Sequence, residues 1–262
     1  MIPKRFTNEV HAHLLGNYLR IPRYPLILAI MGKPGMGKTW QLRTYLKGRQ
    51  VEIHSVSAAD LESSVAGMPA RVLRDQYVNA AMNIGHSKPS ALIVDDIDTT
   101  VGEWSKNTGT VNHQHILALL MHLADSPEFI EGIGEVKRVP IFITGNNFDL
   151  LYEPLRRPER TARFDWVPDK SEMIDVVSSI FNIDKVRAKK LVSTYPEESV
   201  AFFADLFSSH NRIYLTEIIG NTEFSKVLSN EKYRCQIVSE YEKYTSNTNW
   251  LLELCRKEAK NE

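Results

Sequence analysis

Cysteine is nearly absent. Cys235 and Cys255 are the only two in 262 residues. Their spacing fits neither a metal-ligand pattern nor a C-x-x-C pair, which leaves structural roles as the default and points to a reducing compartment. An excess of one charge is also missing, since 32 basic residues face 32 acidic ones. That balance gives no reason to expect nucleic acid as a partner, although it leaves room for a local basic patch. No apolar run approaches the ~18 residues of a membrane span, so no membrane partner is expected. The first twenty residues lack a signal-peptide core, because Lys4, Arg5, Glu9, His11 and His13 interrupt them. Repeats and low-complexity segments are missing as well. What remains is ordinary globular composition, 43% hydrophobic and 24% charged, sufficient for one large domain or two small ones.

Against that plain background one segment stands out. Gly32-Lys33-Pro34-Gly35-Met36-Gly37-Lys38-Thr39 fits G-x-x-x-x-G-K-[ST], the phosphate-binding P-loop. The apolar run Leu26 to Met31 precedes it and reads as a buried strand, and a helix-compatible segment, Trp40 to Lys47, follows. Glycines let backbone N–H groups turn inward around a phosphate chain, and the helix N-terminus adds positive potential. Lys38 supplies a point charge to the β- and γ-phosphates, and the Thr39 hydroxyl can hold Mg²⁺. The expected ATP-binding residues are therefore Gly32, Lys33, Pro34, Gly35, Met36, Gly37, Lys38, Thr39 and Trp40.

Two further strand ends carry matching chemistry. Ala91-Leu92-Ile93-Val94-Asp95-Asp96 has the form of a Walker B strand, apolar residues ending in carboxylates. Asp95 is the expected Mg²⁺ anchor and Asp96 the expected general base for the attacking water. Asp96 is one methylene shorter than the glutamate more common there, which implies a repositioned water or slow turnover. Ile141-Phe142-Ile143-Thr144-Gly145-Asn146 ends in an amide that can orient water near a γ-phosphate, although Thr-Gly-Asn is also simply a good turn. Next comes a basic cluster, Arg156, Arg157, Arg160 and Arg163. It reads as a solvated face, as a phosphate-backbone patch, or as an arginine finger completing a neighbour's site, with Arg157 and Arg160 as the finger candidates.

The rest of the chain reads as an amphipathic helix within 1–24, with Val10, Leu14, Leu15 and Leu19 at helical spacing, then alternating strands and helices. Strands are expected at 51–56, 91–94, 139–144 and 164–167, and helices at 58–61, 70–84 and 112–124, with a loop over 65–69. Such alternation implies a parallel sheet covered on both faces. From Ser171 onward helical patterns dominate, at 171–180, 184–194, 197–208, 213–219 and 231–257. A boundary near 168 divides an α/β nucleotide-binding subdomain, 1–168, from a helical lid, 169–262. His113 and His115 lie two apart and do not share a helix face, so no metal site is expected there.

The order of P-loop, Walker B strand, strand-ending Asn, arginine pair and helical lid resembles an AAA+ ATPase. Within that superfamily the chain resembles the AAA+ module of green-type Rubisco activase. The residues carrying the likeness include Leu61-Glu62-Ser63, Ala66-Gly67, Thr110-Val111-Asn112, Ala124-Asp125, Leu151-Tyr152, Phe164, Trp166, Tyr195-Pro196 and Phe202-Phe203. The resemblance implies a P-loop NTPase fold with an α-helical lid. It implies a hexameric ring binding ATP and Mg²⁺ between subunits, and release of inhibitory sugar phosphates from Rubisco. It implies a location in the cytoplasm, or in the plastid stroma of a photosynthetic eukaryote. By the same likeness, residues 61–69 and 98–112 form central-pore loops, with Trp104 as either a gripping or a packed side chain. The sensor-2 arginine position falls near Phe207 and Ser209, neither basic, with Arg212 as the nearby substitute. Asp95 stands where the activase pattern has Asn. Residues 1–24 are too short for the N-terminal domain with which plant activases engage Rubisco. Two alternatives therefore stay open: an AAA+ remodeller of another protein client, and an ATP-switched assembly or nucleic-acid-binding module.

Overall fold

A computed structural model describes residues 2–57, 67–97, 111–217 and 222–246. Within them the chain divides into two compact units, with the division between Val167 and Pro168.

The first unit is built on five strands: β1 (Ile27–Met31), β2 (Glu52–Val56), β3 (Ser90–Val94), β6 (Ile141–Gly145) and β7 (Thr161–Asp165). A short antiparallel pair, β4 (Phe129–Ile130) and β5 (Gly134–Glu135), stands apart from them. The sheet order is β2-β3-β6-β1-β7, with every pairing parallel. β1, β3 and β6 are buried along their whole length, as strands covered on both faces must be. Side chains alternate between faces. Ile27, Ala29 and Met31 pack with Tyr77 of α3 (Met68–Gly85) and with Ile116 and Leu120 of α4 (Val111–Asp125). Leu28 and Ile30 pack on the other face with Phe6 and Val10 of α1 (Lys4–Tyr18) and with Leu42 and Leu46 of α2 (Lys38–Gly48). Each such aliphatic side chain removed from water contributes roughly 1.5–3 kcal/mol.

Several local expectations change. The inward face of α1 is Phe6, Val10, His13, Leu14 and Asn17, while Leu15 and Leu19 are exposed. Two polar residues hold core positions because the core offers them partners. The His13 ring lies 3.1 Å from the Ile141 carbonyl oxygen, and the Asn17 amide donates to the carbonyls of His13 and Pro25. Met68 and Pro69, expected in a loop, instead open α3. Proline suits a first helical turn, where its missing N–H has no partner to lose. β7 begins at Thr161 rather than Phe164. It is an edge strand with Arg163 and Asp165 exposed, which hides its apolar signal. The β4–β5 pair carries no such signal in the sequence. The expected helix at 58–61 and most of both expected pore loops, Trp104 included, lie outside the described residues.

The second unit contains α5 (Lys170–Phe181), α6 (Lys185–Thr194), α7 (Val200–Glu217), α8 (Phe224–Ser229) and α9 (Glu231–Ser246). Asp169 and Glu172 form a reciprocal capping box at the start of α5. Val177, Phe181, Ile183, Leu191, Val192 and Phe203 make its core. The two helices expected at 197–208 and 213–219 are one continuous helix, α7, because no Gly or Pro interrupts 200–217. α8 was not apparent in the sequence.

Burial pushes the His13 imidazole down from 6.5 to about 3. The unfolded chain therefore takes up that proton first. The contribution of His13 to stability is complete above pH 6.5 and declines as pH falls toward 3. The decline amounts to at most ~1.4 kcal/mol per pH unit. His13→Gln is expected to flatten this dependence in urea unfolding compared at pH 7 and pH 5. Equal slopes for the two proteins would exclude His13 as the source.

Candidate functional site

The P-loop leaves the C-terminal end of β1. Gly35 and Gly37 adopt positive φ of 77° and 72°, a region that L side chains rarely enter. Gly32 is constrained differently, because a Cβ there would collide with the Trp166 carbonyl oxygen. Trp166 is fully buried, and its indole N–H donates to the Met36 carbonyl at 2.9 Å. The Arg5 guanidinium lies 4.9 Å from the Trp166 ring and donates to the Val167 carbonyl at 2.7 Å. Trp166 thus braces the P-loop from β7, a role that a lone tryptophan does not announce in sequence.

Parallel register brings the other strand ends alongside. Met31 pairs with Gly145, and Val94 pairs with Ile143. The chain therefore leaves β1, β3 and β6 at one edge of the sheet. Ligands of open parallel sheets bind outside these carboxyl ends. Lys38 donates to the carbonyls of Gly32 and Lys33, at 2.6 and 3.1 Å, and to Asn146 Oδ1 at 3.3 Å. Thr39 Oγ1 donates to Asp95 Oδ1 at 3.1 Å. An open cleft of about 370 Å³ is lined by Pro34, Gly35, Gly37, Lys38, Thr39, Trp40, Asp96 and Asn146.

In sequence Thr144 reads only as part of a turn, yet it ties the cluster together. It is fully buried, donates to Asp95 Oδ1 at 3.1 Å and accepts the Asp96 backbone N–H at 3.1 Å. A hydroxyl in an otherwise apolar strand was the available signal. Asp96 itself has φ of 50°, a conformation that costs free energy for a non-glycine residue and is found where structure over-determines it. Arg43 carries no signal of a site role in the sequence. It follows Thr39 by one helical turn and donates to Asp95 Oδ2 at 2.7 Å.

Arg157 and Arg160 are not brought to this edge. Thr161 pairs with Ile27, and the Ile27 N–H donates to the Arg160 carbonyl at 3.1 Å. Both arginines therefore stand at the start of β7, whereas the P-loop follows the far end of β1. A five-residue strand separates these levels, roughly 15 Å. Arg160 donates from Nε and NH2 to the two oxygens of Asp125, both at 2.7 Å, and from NH1 to the Pro154 carbonyl. Its guanidinium holds the Asp125 carboxyl below the usual carboxylate range. Arg157 is exposed beside them. In the second unit, Arg212 is an exposed residue of α7.

The donor set suits a nucleotide. A backbone cradle, one lysine and a helix N-terminus fit a phosphate chain. A hydroxyl and a carboxylate oxygen 3.1 Å apart fit the oxygen preference of Mg²⁺. No helix among the described residues is long and apolar enough to cross a membrane.

Comparison with known proteins gives the same direction. Residues 28–169 match the ATPase family associated with various cellular activities (AAA). The ribulose bisphosphate carboxylase/oxygenase activase of Nostoc sp. is 35% identical over 238 residues, covering 86% of this chain and 58% of that protein. The chloroplastic activase of Spinacia oleracea is 35% identical over 248 residues, 88% of this chain and 52% of that protein. Activase 1 of Nicotiana tabacum is 36% identical over 240 residues, 86% of this chain and 54% of that protein. The chain thus spans little more than half the length of these relatives.

Two substitutions test the cleft. Lys38→Ala is expected to abolish binding of a fluorescent ATP analogue, and retained affinity would reject the phosphate assignment. Asp96→Asn is expected to keep that binding while hydrolysis falls by about 10²-fold or more. Unchanged turnover would remove Asp96 as the base.

Proposed function

The chain belongs to the AAA family of ATPases, and from that premise we propose that it is the motor of a ring that remodels Rubisco. In this reading the ring is a hexamer, ATP is hydrolysed between subunits, and the cycle releases inhibitory sugar phosphates from closed Rubisco sites. The observation that carries it is the division of the site's parts between opposite edges of one sheet. Lys38, Thr39, Asp95, Asp96 and Asn146 share the carboxyl edge, while Arg157 and Arg160 stand at the other.

Within a subunit, the P-loop backbone and Lys38 hold the phosphates. Thr39 and Asp95 hold Mg²⁺, which offsets charge on the β- and γ-phosphates when bound. Asp96 takes a proton from the attacking water, and Asn146 orients that water. An arginine about a strand's length away serves a neighbour's nucleotide more readily than its own. Arg157 is the exposed finger, and Arg160, fastened to Asp125, fixes the loop that presents it. Such a finger contributes ~10³–10⁵ in rate. The likeness to ribulose bisphosphate carboxylase/oxygenase activases supports Rubisco as the client.

The test follows ATP hydrolysis per subunit against protein concentration, with and without sugar-phosphate-inhibited Rubisco, and reads carboxylation in the same tube. Rising specific activity together with recovered carboxylation is expected. Hydrolysis without recovery across Rubiscos of several sources would reject Rubisco as client and keep the motor. Arg157→Ala is expected to lose at least ~10²-fold in rate. Mixing it with Lys38→Ala subunits is expected to restore part of that rate, since each then supplies what the other lacks. A mixture that stays inactive would argue against a finger acting in trans.

A further inference from the structure

We propose that Arg43 is a built-in cation on the metal-anchoring carboxylate, and that it sets how much free Mg²⁺ the nucleotide site requires. The inference rests on the nucleotide-site reading above and concerns one residue which that reading does not use.

Arg43 and Thr39 stand four apart on α2 and therefore share a helix face. That face looks onto the end of β3. There the Asp95 carboxylate is divided between partners. Oδ1 accepts the hydroxyls of Thr39 and Thr144, each at 3.1 Å, and Oδ2 accepts Arg43 NH2 at 2.7 Å. Charge-assisted bonds of this length are the strong class. The Asp95 side chain is 15% exposed, so water screens the pair only partly. A guanidinium stays charged at every accessible pH. Arg43 therefore cancels the negative charge that would otherwise draw a divalent cation toward Thr39.

The cancellation is reversible by geometry. The Arg43 side chain is 34% exposed, more than twice as open as its partner, so the guanidinium is the member of the pair in reach of solvent. Two arrangements follow, one with the guanidinium on Asp95 and one with hydrated Mg²⁺ beside Thr39. Mg²⁺ must displace or tolerate a resident cation, so tight nucleotide binding needs more free Mg²⁺ than a bare carboxylate would require. A purely structural role, pinning α2 to β3, would change folding stability without changing this requirement.

The experiment measures the free Mg²⁺ that half-saturates tight binding of N-methylanthraniloyl-ATP, at constant ionic strength, for wild type, Arg43→Gln, Arg43→Met and Arg43→Lys. The midpoint is expected to fall at least about fivefold in Arg43→Gln, the order of one partly screened charge interaction. Arg43→Met should fall likewise and serves if the Gln variant does not fold. Arg43→Lys keeps the charge and should stay within about twofold of wild type. Melting without nucleotide gives a second readout: Mg²⁺ should raise the midpoint of Arg43→Gln or Arg43→Met and leave wild type unchanged. Unchanged midpoints in the neutral variants, or an equal drop in Arg43→Lys, would overturn the inference while leaving the nucleotide site intact. Wild type that binds no nucleotide at any Mg²⁺ concentration would overturn both.

Discussion

Parallel pairing of β1 with β6, and of β6 with β3, is the constraint on which the site depends. Side chains alternate along a strand, so a slip of one residue would turn each strand's set to the other face. In β1 both sets are buried, Ile27, Ala29 and Met31 on one face and Leu28 and Ile30 on the other, so a slip would set side chains of the wrong volume against both helical layers, a mispacking that costs about 1–3 kcal/mol. Register, once held, fixes where the chain leaves each strand. Met31 beside Gly145, and Ile143 beside Val94, bring Asn146 within hydrogen-bond reach of Lys38 and Asp95 within reach of Thr39. The hydrophobic core thereby acts as the positioning device for polar chemistry that it does not contain.

Buried polar residues refine that placement. Thr144 spans two functions, donating to an Asp95 carboxylate oxygen and accepting the backbone N–H of the strained Asp96 turn. His13, Asn17 and Arg138 do similar work at the opposite edge, where Arg138 Nε donates to Asn17 Oδ1 at 2.7 Å. Unsatisfied, such groups would each cost about 1–3 kcal/mol, so their pairing selects one arrangement among many equally greasy ones. Trp166 adds a steric condition. Its carbonyl leaves no room for a side chain at Gly32, and its indole is bonded to the loop it supports. Edge strand β7 is therefore tied to the P-loop as well as to the sheet.

Much of this was legible beforehand, and for a consistent reason. The P-loop, the apolar strands β1, β3 and β6, and helices α3 and α4 follow from local preference: glycine at positive φ, continuous burial, helical periodicity. Where burial is one-sided or partners are distant, the reading weakened. Leu15 and Leu19 matched a helical stripe, but the face was set by Phe6, Val10 and two polar residues whose partners lie elsewhere in the chain. Strand β7 alternates exposed charge with buried groups and offered little apolar signal. Nothing near Arg43 or Thr144 in sequence suggests Asp95 as their common partner.

The amino-acid sequence by itself determined the P-loop motif, the identity of the strands that carry carboxylates and an amide to their ends, and the family to which the chain belongs. These depend on neighbours a few residues away, whose steric and hydrogen-bonding demands are nearly independent of the remaining chain. Tertiary structure alone decided that Arg43 faces Asp95, that Trp166 braces Gly32, and that Arg157 and Arg160 stand at the edge opposite Lys38. Those relations join residues far apart in the chain, and they exist only once register and core packing have fixed which strand ends meet.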